Sequence, residues 1–221
     1  MNTINSVLFD LDGTLTDPKV GIVNSILFAL DQLMIVENNV QELDAFIGPP
    51  LRDSFAGRYN LSHERADLAV QYYREYYAER GIFENNIYDG VHELLEYLTG
   101  NNFRLFVATS KPTVFAQKVL EHFELTNYFS GIAGSNLDNT RSDKTEIIAH
   151  VLSEYKLEVS NSVMIGDRKF DIIGAQNNSM QSIAVTYGYG TIEEINNSRP
   201  DFIVNDCNEL KDFFKIRTAI K

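Results

Sequence analysis

The chain has 221 residues, 44% hydrophobic and 23% charged, and carries a formal net charge of −12. That length supports one sizeable core with room for a smaller insert, and the acidic balance argues against a nucleic-acid polymer as partner, because such binding rests on clustered Lys and Arg neutralising phosphates. With no apolar run near the roughly 20 residues of a membrane span, no basic, apolar leader at its start, and Cys207 as its single cysteine, the chain is expected to be cytoplasmic, without membrane contact or internal disulfide.

The first predicted element is a strand over residues 6–10, an apolar run that stops at Asp10 and Asp12 and breaks at Gly13. A short apolar run bounded by glycine reads as a buried strand, and ligands of open α/β sheets bind beyond the carboxyl ends of such strands. The period-2 alternation of a strand turns side chains two apart the same way, toward one pocket. Two adjacent carboxylates repel each other. A divalent cation relieves that conflict, and Mg²⁺ suits hard oxygen ligands, so one carboxylate can bind metal while its neighbour handles protons. An Asx-type turn closing the strand is the alternative use of the same residues.

About 90 residues separate this strand from the next, and most of them carry helical periodicity. An inserted helical unit over 17–87, in a core made of 1–16 and 88–221, accounts for the interval. Helix-spaced apolar residues run over 21–34 and 62–80, with Ser62 as N-cap of the second stretch. Hinges are expected at 14–18 and 84–89. Tyr72, Tyr73, Tyr76 and Tyr77 recur at helical spacing and read as packing of the insert rather than as a base-stacking surface. Arg52, after the Gly48-Pro49-Pro50 turn, is the candidate contact from the insert to a substrate, or else an exposed arginine.

Beyond the insert, Val91, Leu94, Leu95 and Leu98 form one apolar helix face that leads to Gly100 as a stop. A strand over 104–110 ends in Thr109 and Ser110, whose hydroxyls can donate to phosphate oxygens or cap a helix opening at Pro112. A strand over 131–134 comes next, then a helix marked by Ile147, Ile148 and Val151, with Ser142 or Asp143 as cap. Lys144 stands at that helix entrance, where a cation can neutralise a carboxylate or hold a phosphate, an ordinary solvated lysine being the alternative. The strand over 162–166 repeats the opening design: a glycine, then Asp167 and Asp171. Four apart on a helical turn, these acids share one face and can complete a metal site with Asp10; a capped helix with Asp in its first turn is the alternative. Strands over 182–186 and 201–204 finish an alternation that implies a parallel, doubly wound α/β sheet. Lys19, Lys111 and Arg168 are lesser candidates at the motif edges. His63, His92, His122 and His150 show no zinc-ligand spacing.

FDLDGTL, TSKP, Lys144 and GDRKFD, in this order and with a helical insert between the first two, resemble the four motifs of the haloacid dehalogenase superfamily of phosphatases across nearly the whole chain. Within it, the Phe46-Ile47-Gly48-Pro49-Pro50-Leu51 segment looks like the phosphoglycolate phosphatase branch and its bacterial 5′-nucleotidase-like members. The resemblance implies a Rossmann-like core with a helical cap, hydrolysing a small phosphorylated metabolite with Mg²⁺ as cofactor. Asp10 would be the nucleophile that forms an aspartyl-phosphate and Asp12 the general acid and base. Thr109, with Ser110, would bind phosphoryl oxygens, and Lys144 would balance the negative charge. The metal would be held by the Asp10 carboxylate, the Asp12 main-chain carbonyl and Asp167, with Asp171 as ligand or support. A sugar-phosphate mutase shares all four motifs. A phospho-receiver domain also clusters acids around Mg²⁺, yet has neither a cap-sized insert nor a use for Asp12.

Overall fold

Six parallel strands form the central sheet of the computed structural model, which describes residues 4–138 and 140–218. In chain order the elements are β1 (Ser6–Phe9), β2 (Thr16–Asp17), α1 (Lys19–Gln32), α2 (Leu51–Tyr59), α3 (His63–Tyr76), β3 (Asn86–Ile87), α4 (Val91–Gly100), β4 (Arg104–Pro112) and α5 (Thr113–His122). The second half adds β5 (Phe129–Ser135), α6 (Lys144–Glu154), β6 (Ser162–Gly166), α7 (Lys169–Asn177), β7 (Gln181–Val185), α8 (Ile192–Ser198), β8 (Phe202–Val204) and α9 (Cys207–Thr218). The sheet order is β5-β4-β1-β6-β7-β8. Among the described residues no helix is long and apolar enough to cross a membrane.

The topology follows from burial. Every residue of β1 and β6 is buried, as expected where helices cover both faces of a parallel sheet and the strands read as continuous apolar runs. The chain builds outward from β1 through β4 to β5, then crosses back to lay β6, β7 and β8 on the other side. Strand order therefore reverses at β1 and β6, and a crevice opens beyond their carboxyl ends. Phe9 pairs with Val107 on β4 and with Ile165 on β6, so β1 and β6 end nearly level while β4 runs on past them to Pro112. That register brings the segments after β1, β4 and β6 to a common edge.

Between β1 and β4 the chain is largely helical, as expected. β2 and β3 pair antiparallel at Thr16↔Ile87 and Asp17↔Asn86, forming a two-stranded ribbon where the sequence suggests hinges. Strands of two residues carry no readable alternation. The stretch between β2 and β3 also contains α2 and a 3-10 turn at Val40–Phe46, neither with an apolar stripe strong enough to announce it. Ser62 caps α3, its hydroxyl accepting from the Arg65 amide at 3.4 Å. The predicted long helix instead ends at Tyr76 and widens into a π-turn at Tyr77–Gly81.

Two local expectations are corrected. β4 runs beyond its expected end at Ser110 to Pro112, which pairs with Ser135 after a register irregularity beyond Ala108, so Thr109 and Ser110 lie in the strand as expected rather than capping a helix, and α5 opens at Thr113 instead of Pro112. The residue before a proline is driven out of the helical region, which keeps Lys111 extended. Gly100 is the last residue of α4 rather than its stop, and Asn102 takes the left-handed conformation at φ +61°, a role asparagine tolerates.

Candidate active site

Each acid is placed by main-chain geometry at a strand end. The Asp10 amide continues the sheet by donating to the Ile165 carbonyl at 2.9 Å, and its Oδ1 accepts from the Leu11 amide at 2.7 Å. The Leu11 carbonyl then accepts from the amides of Thr14, Leu15 and Thr16, at 3.2, 2.9 and 3.0 Å, which folds the chain back sharply. Gly13 makes this possible at φ +88°, and a Cβ there would lie 2.3 Å from Asp167 Oδ2. Asp167 in turn accepts from the Thr14 hydroxyl at 3.3 Å and the Tyr189 amide at 2.7 Å. Asp171 accepts from the Arg168 amide at 3.1 Å, in the first turn of α7.

Asp167 does not share a helix face with Asp171, because α7 begins only at Lys169. The sheet register, not a helical repeat, brings the two acids together with Asp10. Carboxylate oxygens of Asp10, Asp167 and Asp171, all buried, lie within 4.8 Å of one another and could hold a metal ion. Lys144, the first residue of α6 behind the Asp143 cap, points into this group. Its Nζ is 2.9 Å from Asp10 Oδ1 and 2.7 Å from Asp171 Oδ1, and donates to the Ala108 carbonyl at 3.0 Å. These two ion pairs and the bond to Ala108 hold the ammonium against the acids.

One ammonium against three buried carboxylates leaves negative charge uncompensated, and hard oxygen donors of this kind suit a divalent cation. Burial, reinforced by Asp171 and Asp10, pushes the Asp167 carboxyl up to about 8. Asp171 rises to about 6 through burial, restrained by Lys144. Burial opposes the Lys144 charge, yet Asp10 and Asp171 outweigh it and hold the proton above its ordinary value. A carboxyl whose folded-state value is raised binds its proton more tightly folded than unfolded, so its contribution to stability falls as pH climbs from the ordinary 3.8 toward about 8. Metal-free protein is therefore expected to lose thermal stability on titration from pH 5 to pH 8, by at most about 1.4 kcal/mol per pH unit per proton. Saturating Mg²⁺ should flatten that slope, since the cation stabilises the ionised form. Thermal unfolding with and without chelator checks this; identical slopes would contradict it.

Asp12 faces a different partner. Its Oδ2 lies 2.5 Å from Lys111 Nζ, while its Oδ1 is buried without a hydrogen-bond partner. Burial raises the Asp12 carboxyl above its ordinary value, and Lys111 pulls it back. Lys111 also sits 4.7 Å over the ring of Tyr77 from the π-turn after α3. Both acids open into a cavity of about 230 Å³. Its floor carries Asp10, Asp12, Thr109, Ser110 and Lys111; its roof is Phe46, Pro49, Leu51, Tyr73, Tyr77 and Phe115.

The site residues expected from sequence are thus distributed unevenly. Asp10, Asp167, Asp171 and Lys144 form one buried group, and Thr109 and Ser110 line the cavity above it. The Thr109 hydroxyl accepts from the Lys111 amide at 3.3 Å. Arg52 also lines the cavity, but its guanidinium is engaged by Asp67 at 2.9 Å. Lys19 pairs with Asp44 at 2.6 Å, away from the acids. Sequence reasoning undervalued Lys111, although a cation directly after two strand-end hydroxyls was a signal for it. The buried pair Tyr73 and Tyr77, stacked at 5.5 Å, serves both as packing and as cavity wall.

With this geometry in place, similarity to known proteins becomes informative. Residues 7–185 match the family model of haloacid dehalogenase-like hydrolases. A 5′-nucleotidase of Pseudomonas aeruginosa is 44% identical over 93% of each chain. The tyrosine-protein kinase PtkA of Mycobacterium tuberculosis is 36% identical over 89% of this chain and 64% of its own length. The crystal structure of a predicted phosphatase from Clostridium acetobutylicum superposes with a TM-score of 0.94, at 44% identity over 97% of this chain and 99% of that one.

Proposed function

The chain belongs to the haloacid dehalogenase-like hydrolase family and is a phosphatase, and on that premise we propose that it hydrolyses nucleoside 5′-monophosphates through an aspartyl-phosphate on Asp10, with Mg²⁺ as cofactor. The observation that carries this reading is the single cavity that joins a polar, acid-bearing floor to an aromatic roof. A phosphate ester whose leaving group carries a planar ring suits both surfaces, whereas glycolate has no ring to lay against the aromatic residues of the roof. The 5′-nucleotidase relative supports the same substrate class. Residues 17–87 act as the cap, and Arg52, steadied by Asp67, takes its place in the wall that meets the leaving group. The buried free thiol of Cys207 suits a reducing, cytoplasmic setting.

In this mechanism Asp10, pinned by Lys144 and the Leu11 amide, attacks phosphorus while the leaving oxygen departs on the far side. Asp12 gives its proton to that oxygen, and afterwards takes one from the water that opens the acyl-phosphate. A carboxyl raised by burial and lowered by Lys111 suits a group that must serve in both forms. Thr109 and Ser110 present hydroxyl donors to phosphoryl oxygens, and closure of the insert keeps bulk water out. Asp10, Asp167 and Asp171 would hold Mg²⁺, which when bound supplies charge stabilisation for the phosphoryl group.

Phosphate release from a panel of nucleoside 5′-monophosphates, 2-phosphoglycolate and sugar phosphates, with Mg²⁺ and with chelator, tests the proposal. Metal-dependent release with kcat/KM highest for a nucleoside monophosphate is expected. A preference for 2-phosphoglycolate would overturn the substrate class, and isomerised sugar phosphate without phosphate release would point to a mutase.

A further inference from the structure

Arg168 follows Asp167, and its guanidinium spans two parts of the molecule. On the core side Nε and Nη2 donate to the two carboxylate oxygens of Glu194, at 2.8 and 3.3 Å. Glu194 is itself fixed: its Oε1 accepts from the Lys169 amide at 2.9 Å, and its amide donates to the Thr191 hydroxyl that caps α8 at 3.1 Å. A guanidinium gripped bidentately is held in one plane, so its remaining N–H direction is set in advance. That direction meets the insert, where Nη1 donates to the main-chain carbonyl of Ile47.

Ile47 stands at the entrance to segment 46–53, and Phe46, Gly48, Pro49, Pro50 and Leu51 of that segment line the cavity. Gly48 lies at φ +107°, and a Cβ there would come within 3.1 Å of Arg168 Cγ and 3.2 Å of Nη1. Loop and arginine are shaped against each other, and the Ile47 side chain is buried. Resting on the phosphatase reading above, we propose that Arg168 is a positioning residue that seats segment 46–53 over the leaving group, and thereby sets KM for substrates long enough to touch that wall. It takes no part in phosphoryl transfer.

The test compares wild type with R168M, R168K and E194Q on a nucleoside 5′-monophosphate and on acetyl phosphate, whose leaving group is too short to reach the wall. Loss of one charge-assisted hydrogen bond predicts a KM for the nucleotide raised about tenfold in R168M, with kcat within about twofold and both constants for acetyl phosphate unchanged. R168K keeps the charge but not the fork, and should resemble R168M. E194Q should show a smaller rise in the same direction, with the Mg²⁺ concentration for half-maximal rate unaltered. In the absence of any substrate, amide hydrogen exchange over 46–55 should be faster in R168M than in wild type. Equal KM changes for the two substrates, a wild-type KM in R168K, or unchanged exchange over 46–55 would each overturn the assignment. A wild type that hydrolyses neither compound would instead remove the phosphatase premise, and the exchange measurement would still decide whether Arg168 seats the segment.

Discussion

Asp10→Asn is expected to reduce phosphate release by at least about a thousandfold, because the amide cannot attack phosphorus. The variant should keep its fold. The asparagine oxygen can still accept from the Leu11 amide, and removing one of three clustered carboxylates relieves repulsion at a site that carries surplus negative charge. Its metal-free form should therefore unfold at or above the wild-type temperature, although Lys144 loses one of its ion pairs. Thermal unfolding and phosphate release on the same preparation separate the two effects. Turnover near the wild-type rate would remove Asp10 from the role of nucleophile, whatever the stability.

Asp12→Asn should show a split between substrates. With an ordinary alcohol as leaving group, loss of the general acid is expected to cost about 10²–10⁴ in rate. Acetyl phosphate, whose leaving carboxylate needs no proton, should still phosphorylate the variant. Hydrolysis of the acyl-phosphate lacks its base in that variant, so phosphoprotein should accumulate and decay slowly. The substitution keeps an oxygen that can accept from Lys111, so misfolding is not the expected outcome. Rapid quench with each donor checks this: equal losses with both, and no phosphoprotein, would leave Asp12 with a structural role alone.

The parts of this molecule that could be read from its sequence are those in which one strand or helix declares itself. Val7-Leu8-Phe9 and Val163-Met164-Ile165 are continuous apolar runs because both faces of a parallel sheet are covered, and the acids that follow them mark the edge where strand order reverses. The Ser62 cap was legible for the same reason, since its chemistry is local, and of the two cap candidates Ser142 and Asp143 it is Asp143 that accepts from the Thr145 amide. What depended on distant partners was not. Thr109 and Ser110 looked equally like caps until the pairing of Pro112 with Ser135 fixed them in β4. Asp167 and Asp171 were grouped by a helical spacing they do not have; the register of β1 with β6 unites them. Lys111 gained importance only through Asp12, 99 positions away, and Arg168 through Ile47, 121 positions away. Single-sequence periodicity carries no record of such contacts.

The covalent intermediate is the claim from which the rest of the mechanism hangs, and trapping it is the most direct test. Wild-type protein mixed with Mg²⁺ and a nucleoside 5′-monophosphate, quenched in acid within the first turnover and digested, should yield a phosphorylated peptide whose modification maps to Asp10, absent when chelator replaces Mg²⁺ and absent in Asp10→Asn. Phosphate released at full rate with no phosphorylated Asp10 at any quench time, or a phosphoryl group found on another residue in its place, would contradict the account.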